Sequence, residues 1–329
     1  GTMPRVVVEG GYVAWSIART PALAKRVLGD AVVARGVRDA VHDTLRERTD
    51  PARLARYRQA CPVPGVGAEA YAVREVRLWD DVAVLVGIHF YGGDISRPFL
   101  GVFAQTRDLR PAERLQATVR LCDAFAAFSP LATWWWVVGD EDVPSSAIAD
   151  QRLLIGAIAD LVRVPVALGD LPFALRRDDR GDTFAAYRAL FDAFLAAHPT
   201  WTGRIERTAL EDYAACASAG GLFVAEHEAR VVGVFAARPG EVRGVPGWLI
   251  EEELLAEGWR GRGLAPLLQR AALARLDARA HPLVLGTIDA ANEPSRRAAR
   301  RVGRTDAAGW VFVPDPRRPV AAWLPTSAS

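Results

Sequence analysis

"EGWRGRGLAP", residues 257–266, decides the reading of this chain. Gly261 and Gly263 alternate with Arg260 and Arg262, between a strand-like apolar run (Trp248 to Ala256) and a helix-like run (Leu264 to Arg279). Glycines at a strand-to-helix turn let backbone N–H groups converge with no Cβ in the way, and the helix beyond presents its positive end. Such a turn holds an anion. A P-loop would need Gly-Lys-Ser/Thr at its end, and the one lysine of the chain is Lys25. A dinucleotide fingerprint would need a third glycine where Pro266 stands, early in its domain rather than behind several strands. Both readings fail.

Outward from this loop, the second half of the chain reads cleanly. Phe184, Tyr187, Leu190, Phe191, Phe194 and Leu195 form a helical stripe that Asp182 can cap. "TALE" (208–211) has the form of a capping box and opens a second helix, which Gly220-Gly221 ends. "LFVAEH" and "RVVGVFAA" are strands joined by a tight turn at Glu228-Ala229, and "GWLIEEELLA" (247–256) is the strand before the loop. "PLVLGTIDA" (282–290) is the next strand, "PSRRAARRV" a short helix and "GWVFVP" (309–314) the last strand.

Taken with that order, Arg260-Gly261-Arg262-Gly263-Leu264-Ala265 resembles Arg/Gln-x-x-Gly-x-Gly/Ala, the acyl-CoA pyrophosphate loop of the GNAT N-acetyltransferase superfamily. A second signature stands at the right distance: "NEPSRRAARRVG" places Asn292, Ser295 and Gly303 as in the family's Asn-x-x-Ser/Ala…Gly element. The resemblance covers about residues 170–315. It implies a mixed sheet flanked by helices, with the two strands around the loop splaying apart to admit pantetheine. It also implies transfer of acetyl from acetyl-CoA, the co-substrate, to an amine by direct attack in a ternary complex. Main-chain amides near Leu254, Leu255 and Ala256 would bond pantetheine and polarise the thioester carbonyl, and Asn292 would meet pantetheine or the reacting centre.

A protonated amine must lose a proton before attacking, so a general base is expected. "EEE" (251–253) lies in the strand before the loop, and mutual repulsion among three carboxylates favours a raised pKa on one of them. Strict alternation puts Glu251 and Glu253 on one face and Glu252 on the other, unless a bulge near Leu255 shifts the phase. Glu251 or Glu253 is the expected base, with solvated strand-edge charge as the alternative. The family often carries a Tyr seven residues after the Asn to protonate the leaving thiolate, and here that position is Ala299. Tyr187 and Tyr213 are substitutes by composition, and as residues of apolar helix faces they read equally as core.

Arg296, Arg297, Arg300 and Arg301 make two i, i+4 pairs that, with Arg304, could meet the 3′-phosphate of CoA or form a solvated basic face. His227 and His281 have no ligand-spaced neighbour, so no metal is expected. Cys61, Cys122 and Cys216 show neither metal spacing nor an even count for disulfides.

The first half is harder to read. "RVVVEGGYVAWSI" (5–17) looks like a strand or hairpin, followed by helices around 21–48 and 51–60. Three strands ("AYAVREVRLW", "VAVLVGIHFYG", "PFLGVFAQT"), a helix (111–128), the strand "TWWWVV" (133–138) and a helix from about 145 to 163 complete it. Trp135 should face opposite to Trp134 and Trp136, in the core or walling a cleft. The order is similar enough to the second half to raise a degenerate second copy of related topology, with an unrelated α/β domain as the alternative.

A chain of 329 residues suggests two domains, 3–165 and 170–329, the second GNAT-like and the role of the first open. Met3 is the only methionine, so Gly1-Thr2 read as residues ahead of a native start, and the apolar run that follows is too short for a signal peptide. A net charge of +2 gives no field for nucleic acid, and no stretch is apolar for long enough to span a membrane. A cytoplasmic enzyme, monomer or homodimer, is the expectation. Its acceptor would be a small-molecule amine (an amino acid, short peptide or aminated natural product). The alternatives are a protein N-terminal or lysine acetyltransferase and an inactive CoA-binding regulatory protein.

Overall fold

The structure, a computed structural model, describes residues 10–163 and 171–319. The first half contains α1 (Gly10–Ala18), α2 (Ala22–Leu28), α3 (Asp30–Thr49), α4 (Pro51–Ala60), β1 (Arg74–Trp79), β2 (Val82–Phe90), β3 (Pro98–Gln105), α5 (Pro111–Ala124), β4 (Ala132–Val138), β5 (Ile148–Ala157) and α6 (Ile158–Leu161). The second contains β6 (Ala174–Arg177), α7 (Phe184–Ala197), α8 (Leu210–Ser218), β7 (Leu222–His227), β8 (Arg230–Val242), β9 (Val245–Leu255), α9 (Leu264–Leu273), β10 (Leu283–Asp289), α10 (Glu293–Val302) and β11 (Thr305–Pro314). The class is the expected one, a mixed α/β sheet flanked by helices.

All these strands join one sheet in the order β1-β2-β3-β4-β11-β5-β10-β9-β8-β7-β6. That order reads the same from either end if β1–β5 are matched to β7–β11, with β6 as an added edge. In each half a meander of three antiparallel strands leads, through one helix, to a parallel fourth strand. The fifth strand of each half then crosses over: β5 pairs with β10, and β11 with β4. At the centre β5 and β11 pair with each other. The halves therefore exchange their last strands.

Helices cover both faces. On one face α4 and α5 pack over β1–β4 and β11, while α6, α9 and α10 pack over the second half. On the other, α1–α3 lie over residues from both halves, among them Trp136, Leu153, Ile155, Val245, Leu283 and Leu285, and α7–α8 cover β7–β9. Contact across the halves is close enough to exclude side chains: a Cβ on Gly36 of α3 would lie 2.2 Å from the Gly244 carbonyl oxygen in the β8–β9 turn. Gly244 itself has φ of 80°, which favours glycine on a second count.

Several local expectations hold. The β7–β8 turn has positive φ at Glu228 and Ala229, as a tight hairpin demands. Trp135 faces the α5 side, while Trp134 and Trp136 flank Trp310 on the opposite face at 5.1 and 4.6 Å. All three cysteines are buried and free.

Other expectations are corrected. The helix placed at 145–163 is mostly β5, and only Ile158–Leu161 is helical. Lying between β10 and β11 with both faces covered, β5 reads as a continuous apolar run (Leu153, Leu154, Ile155), which periodicity cannot tell from a buried helix. The strand or hairpin placed at 5–17 is helix α1 from Gly10 onward, where Tyr12, Trp15 and Ser16 form a buried helical face, and its residues 5–9 lie outside the described residues. The boundary placed at 165–170 lies outside them too. Asp182 does not cap α7; buried Asp178 accepts from the amides of Gly181 and Thr183, both at 2.9 Å. The expected capping box is absent because Thr208 turns away and donates to the Glu251 carbonyl oxygen at 3.3 Å.

Candidate active site

The site begins where the sheet opens. β9 and β10 pair at only two positions, Trp248 with Val284 and Leu249 with Leu285. Beyond them β9 continues through Ile250–Leu255 on β8, and β10 through Gly286–Asp289 on β5, with no pairing between the two. A cleft of about 870 Å³ occupies this divergence, reaching from α9 and α10 on one face to α7 and the first half of the chain on the other.

The loop 257–266 closes the α9 end of the cleft. Gly261 and Gly263 hold φ of 72° and 75°, and a Cβ on either would meet nothing, so the backbone is open to an approaching group. Gly263 begins α9, which no side chain caps, leaving first-turn N–H groups directed at the cleft that Leu264, Ala265 and Pro266 line. This fits a pyrophosphate. Arg260 lies over the ring of Phe194 at 4.5 Å and lines the cleft, whereas Arg262 lies over Trp259 at 5.5 Å on the outer side of the loop.

The gap-facing amides of β9 follow from its ladder. The Ala256 N–H donates to the Val232 carbonyl at 2.8 Å, so alternation directs Leu254 toward β8 and turns Leu255 and Glu253 toward the gap. Of the three amides expected to face pantetheine, only that of Leu255 does so. The Glu253 N–H is held by the Glu252 carboxylate at 3.0 Å.

The strand phase of "EEE" is also corrected. A bulge lies at Glu251, not near Leu255: Glu252 pairs with Ala236 and Ile250 with Ala237, leaving Glu251 as the extra residue. Glu251 and Glu252 therefore share the α7–α8 face, and Glu253 takes the α9 face. Glu251 pairs with Arg238 at 2.9 Å. Glu252 accepts from the Tyr187 hydroxyl at 2.7 Å, and that hydroxyl accepts in turn from the Thr208 N–H at 2.9 Å. Glu253 accepts from the amide of buried Gln269. Burial raises all three carboxyls. Glu252 is pushed up to about 7 against the opposing Tyr187 hydrogen bond, and Glu253 to about 7 against the charge of Arg304. Both oxygens of Glu252 are oriented, on a carboxyl that titrates near neutrality.

Asn292 lines the cleft at the start of α10, where its side-chain oxygen caps the helix by accepting from the Ser295 N–H at 3.3 Å. The arginines of this helix divide. Arg296 and Arg300 pair with Glu293 and Asp306, while Arg297 and Arg301 line the cleft. Arg304 is buried and braces the sheet, donating to the Leu154 and Gly286 carbonyls at 2.8 and 3.3 Å, so it is no ligand for an outer phosphate. Ala299 is buried and carries no acid. Among the described residues no group of His, Cys, Asp and Glu is arranged to hold a metal ion, and no helix is long and apolar enough to cross a membrane.

Sequence reasoning missed the wall that the first half contributes. Phe90, Tyr91, Phe99, Trp134, Asp150 and Gln151 all line the same cleft. The sequence reading offered Trp135 as core or cleft wall; it is core, and Trp134 lines the cleft instead. The others come from two strand ends and from β5, whose strand character the sequence hid.

Residues 186–303 match the sequence profile described as the Acetyltransferase (GNAT) family. No curated protein matches the sequence. Similar solved structures include a GCN5-related N-acetyltransferase from Sphaerobacter thermophilus (14% identity, 84% of this chain and 96% of that one, TM-score 0.45). A GCN5-related N-acetyltransferase from Kribbella flavida is 17% identical over 81% of this chain and 95% of its own, with a TM-score of 0.42. A tandem GNAT protein from the clavulanic acid biosynthesis pathway is 16% identical over 70% and 78%, with a TM-score of 0.43. With the open loop, the diverging strands and the profile match all falling on the same residues, the chain carries a domain of the GNAT acetyltransferase family at 186–303.

Proposed function

We propose that this protein transfers the acetyl group of acetyl-CoA to the amine of a small molecule, by direct attack within a ternary complex. The observation that carries the reading is the divergence of β9 and β10 into a cleft with an uncapped glycine loop at one end and Glu252 on its wall. Pyrophosphate would rest on the amides of residues 261–265, with Arg260 beside it and pantetheine between the strands. Asn292 and Ser295 would border the pantetheine, and the Leu255 N–H would polarise the thioester carbonyl.

Glu252, rather than Glu251 or Glu253, is the general base in this reading. Its pKa near 7 leaves it substantially ionised at neutral pH and basic enough to accept the proton of an ammonium. Glu251 is neutralised by Arg238, and Glu253 faces the α9 side against Gln269. Glu252 takes one proton from the ammonium, freeing the nitrogen lone pair to attack the carbonyl carbon. The C–S bond then breaks as the nitrogen gives up its second proton to water, and CoA leaves as a thiolate that is protonated in turn by water, since Ala299 offers no acid.

The test is thermal unfolding of wild type and Gly263→Glu with and without acetyl-CoA, followed by thiol release with a panel of amines. At about 100-fold excess over Kd, binding adds about 2.7 kcal/mol to the native state. An upward shift in wild type that Gly263→Glu lacks supports the loop as the CoA site. No shift in wild type overturns the reading. A shift without thiol release from any amine, protein N-termini and lysines included, favours a CoA-binding regulator, the reading that Ala299 supports.

A further inference from the structure

A second cavity, about 60 Å³ in volume, lies between the halves, where α1 and α3 cover β2 and β3 beside the β8–β9 turn. Its walls are mostly apolar, Val37, Leu45, Leu85 and Phe103 among them, and its polar lining is Ser16, Thr44 and Arg243. Arg243 comes from the second half, on a turn that holds it at φ of 53°. Its guanidinium lies over the Trp136 ring at 5.1 Å, and Nη2 donates to the Phe103 carbonyl at 2.8 Å. Nε and Nη1 have no partner among the described residues, and no described carboxylate pairs with this arginine. Arg19, the charged group nearest in effect, is also a cation and is matched by Asp108 and Glu141. Ser16 comes from the first half, 6% exposed, and its buried Oγ also has no partner.

From this unmatched cation and unmatched hydroxyl in one apolar cavity we infer that the cavity binds a small monocarboxylate, the size of acetate or propionate. The inference is independent of the acetyl-transfer reading. At about 15 Å³ for one water-sized probe, the volume admits about four non-hydrogen atoms. A carboxylate offers two coplanar oxygens, which suit the donor fork of a guanidinium, and the Ser16 hydroxyl can donate to one of them. The short alkyl end would rest on the valine and leucine walls. Burial and Arg19 lower Arg243 to about 10, so it stays charged at neutral pH and calls for one negative charge. A phosphate would bring a second charge and further oxygens against apolar walls, at a desolvation cost with no donor to offset it. A neutral amide would leave the cation unmatched. Because Arg243 and Ser16 belong to different halves, the bound carboxylate would tie the β8–β9 turn to α1 and stabilise the folded chain by mass action.

Thermal unfolding of the full chain, at constant ionic strength with sodium chloride replaced stepwise by sodium acetate or propionate, tests this. Wild type should show a saturable upward shift with either carboxylate, and none with phosphate or acetamide. Arg243→Asn, which removes the charge at a residue type that accepts positive φ, should weaken the apparent affinity about tenfold or more. Ser16→Ala should weaken it several-fold, and Gly263→Glu should leave it unchanged. No shift in wild type overturns the inference, as does a shift that fails to saturate or that survives in both Arg243→Asn and Ser16→Ala. An equal shift with phosphate or acetamide overturns it too. Loss of the shift in Gly263→Glu would move the carboxylate to the large cleft and also overturn it. Should Arg243→Asn not fold, Ser16→Ala decides alone.

Discussion

The two halves of the molecule open their sheets in the same way and use the opening differently. β3 and β4 pair at Leu100–Thr133 and Gly101–Trp134 and then diverge, as β9 and β10 do after Trp248–Val284 and Leu249–Leu285. In the second half the following turn is glycine-rich, uncapped and open. In the first it is "TRDLRP", and it satisfies itself: Arg107 pairs with Asp81 and Glu113, and Glu113 turns back to accept from the Arg110 N–H at 2.9 Å, closing the start of α5. The chain also stops the gap. α1 packs on β3, the Trp15 indole donates to Asp108 at 2.7 Å, and Arg19 pairs with Glu141 and Asp108 while its carbonyl accepts from Trp136. A divergent strand pair is thus only an opportunity. Whether it binds an anion is decided by the donors left unmatched around it.

Four measurements would break or sharpen that contrast. The largest effect is expected from Glu252→Gln, which should lower kcat about 10²–10⁴-fold while leaving the stabilisation by acetyl-CoA intact. Removing the stopper of the first half comes next. Trp15→Ala should cost about 3–5 kcal/mol of stability, and calorimetry should still find one CoA per chain, because the turn after β3 keeps its own hydrogen bonds. Two bound per chain would break the contrast. Gly263→Glu should forfeit the roughly 2.7 kcal/mol that CoA adds at about 100-fold excess over Kd. The smallest effect is on pH dependence. Glu252 has a folded pKa of about 7, above its ordinary value of 4.5, so the native state holds a proton that the unfolded chain has released. Stability should therefore fall as pH rises from about 5 to 8, by a few degrees at most in unfolding midpoint, and fall less in Glu252→Gln. Activity should rise over the same interval.

What could be seen in the sequence was local. The loop at 257–266, the strand before it and the Asn292–Gly303 element depend on neighbours a few residues apart, and each lies where it was expected. The misreadings concern partners far along the chain. β5 hides because it is buried between strands of the other half, and a strand covered on both faces loses the alternation that would mark it. The bulge at Glu251 hides because three identical residues carry no phase of their own. Asp150 and Phe99 could not be tied to the cleft at all, since they reach it only through the exchange of last strands.

That exchange also constrains how the protein is made. β4 and β11, neighbours in the sheet, are separated by about half of the chain, so one edge of the first half stays unpaired until residues 305–314 have been synthesised. An open strand edge is where chains join one another wrongly, and pairing between distant segments is slow to form. Folding during synthesis thus cannot proceed half by half, and the nascent chain has to protect that edge until its last strand arrives.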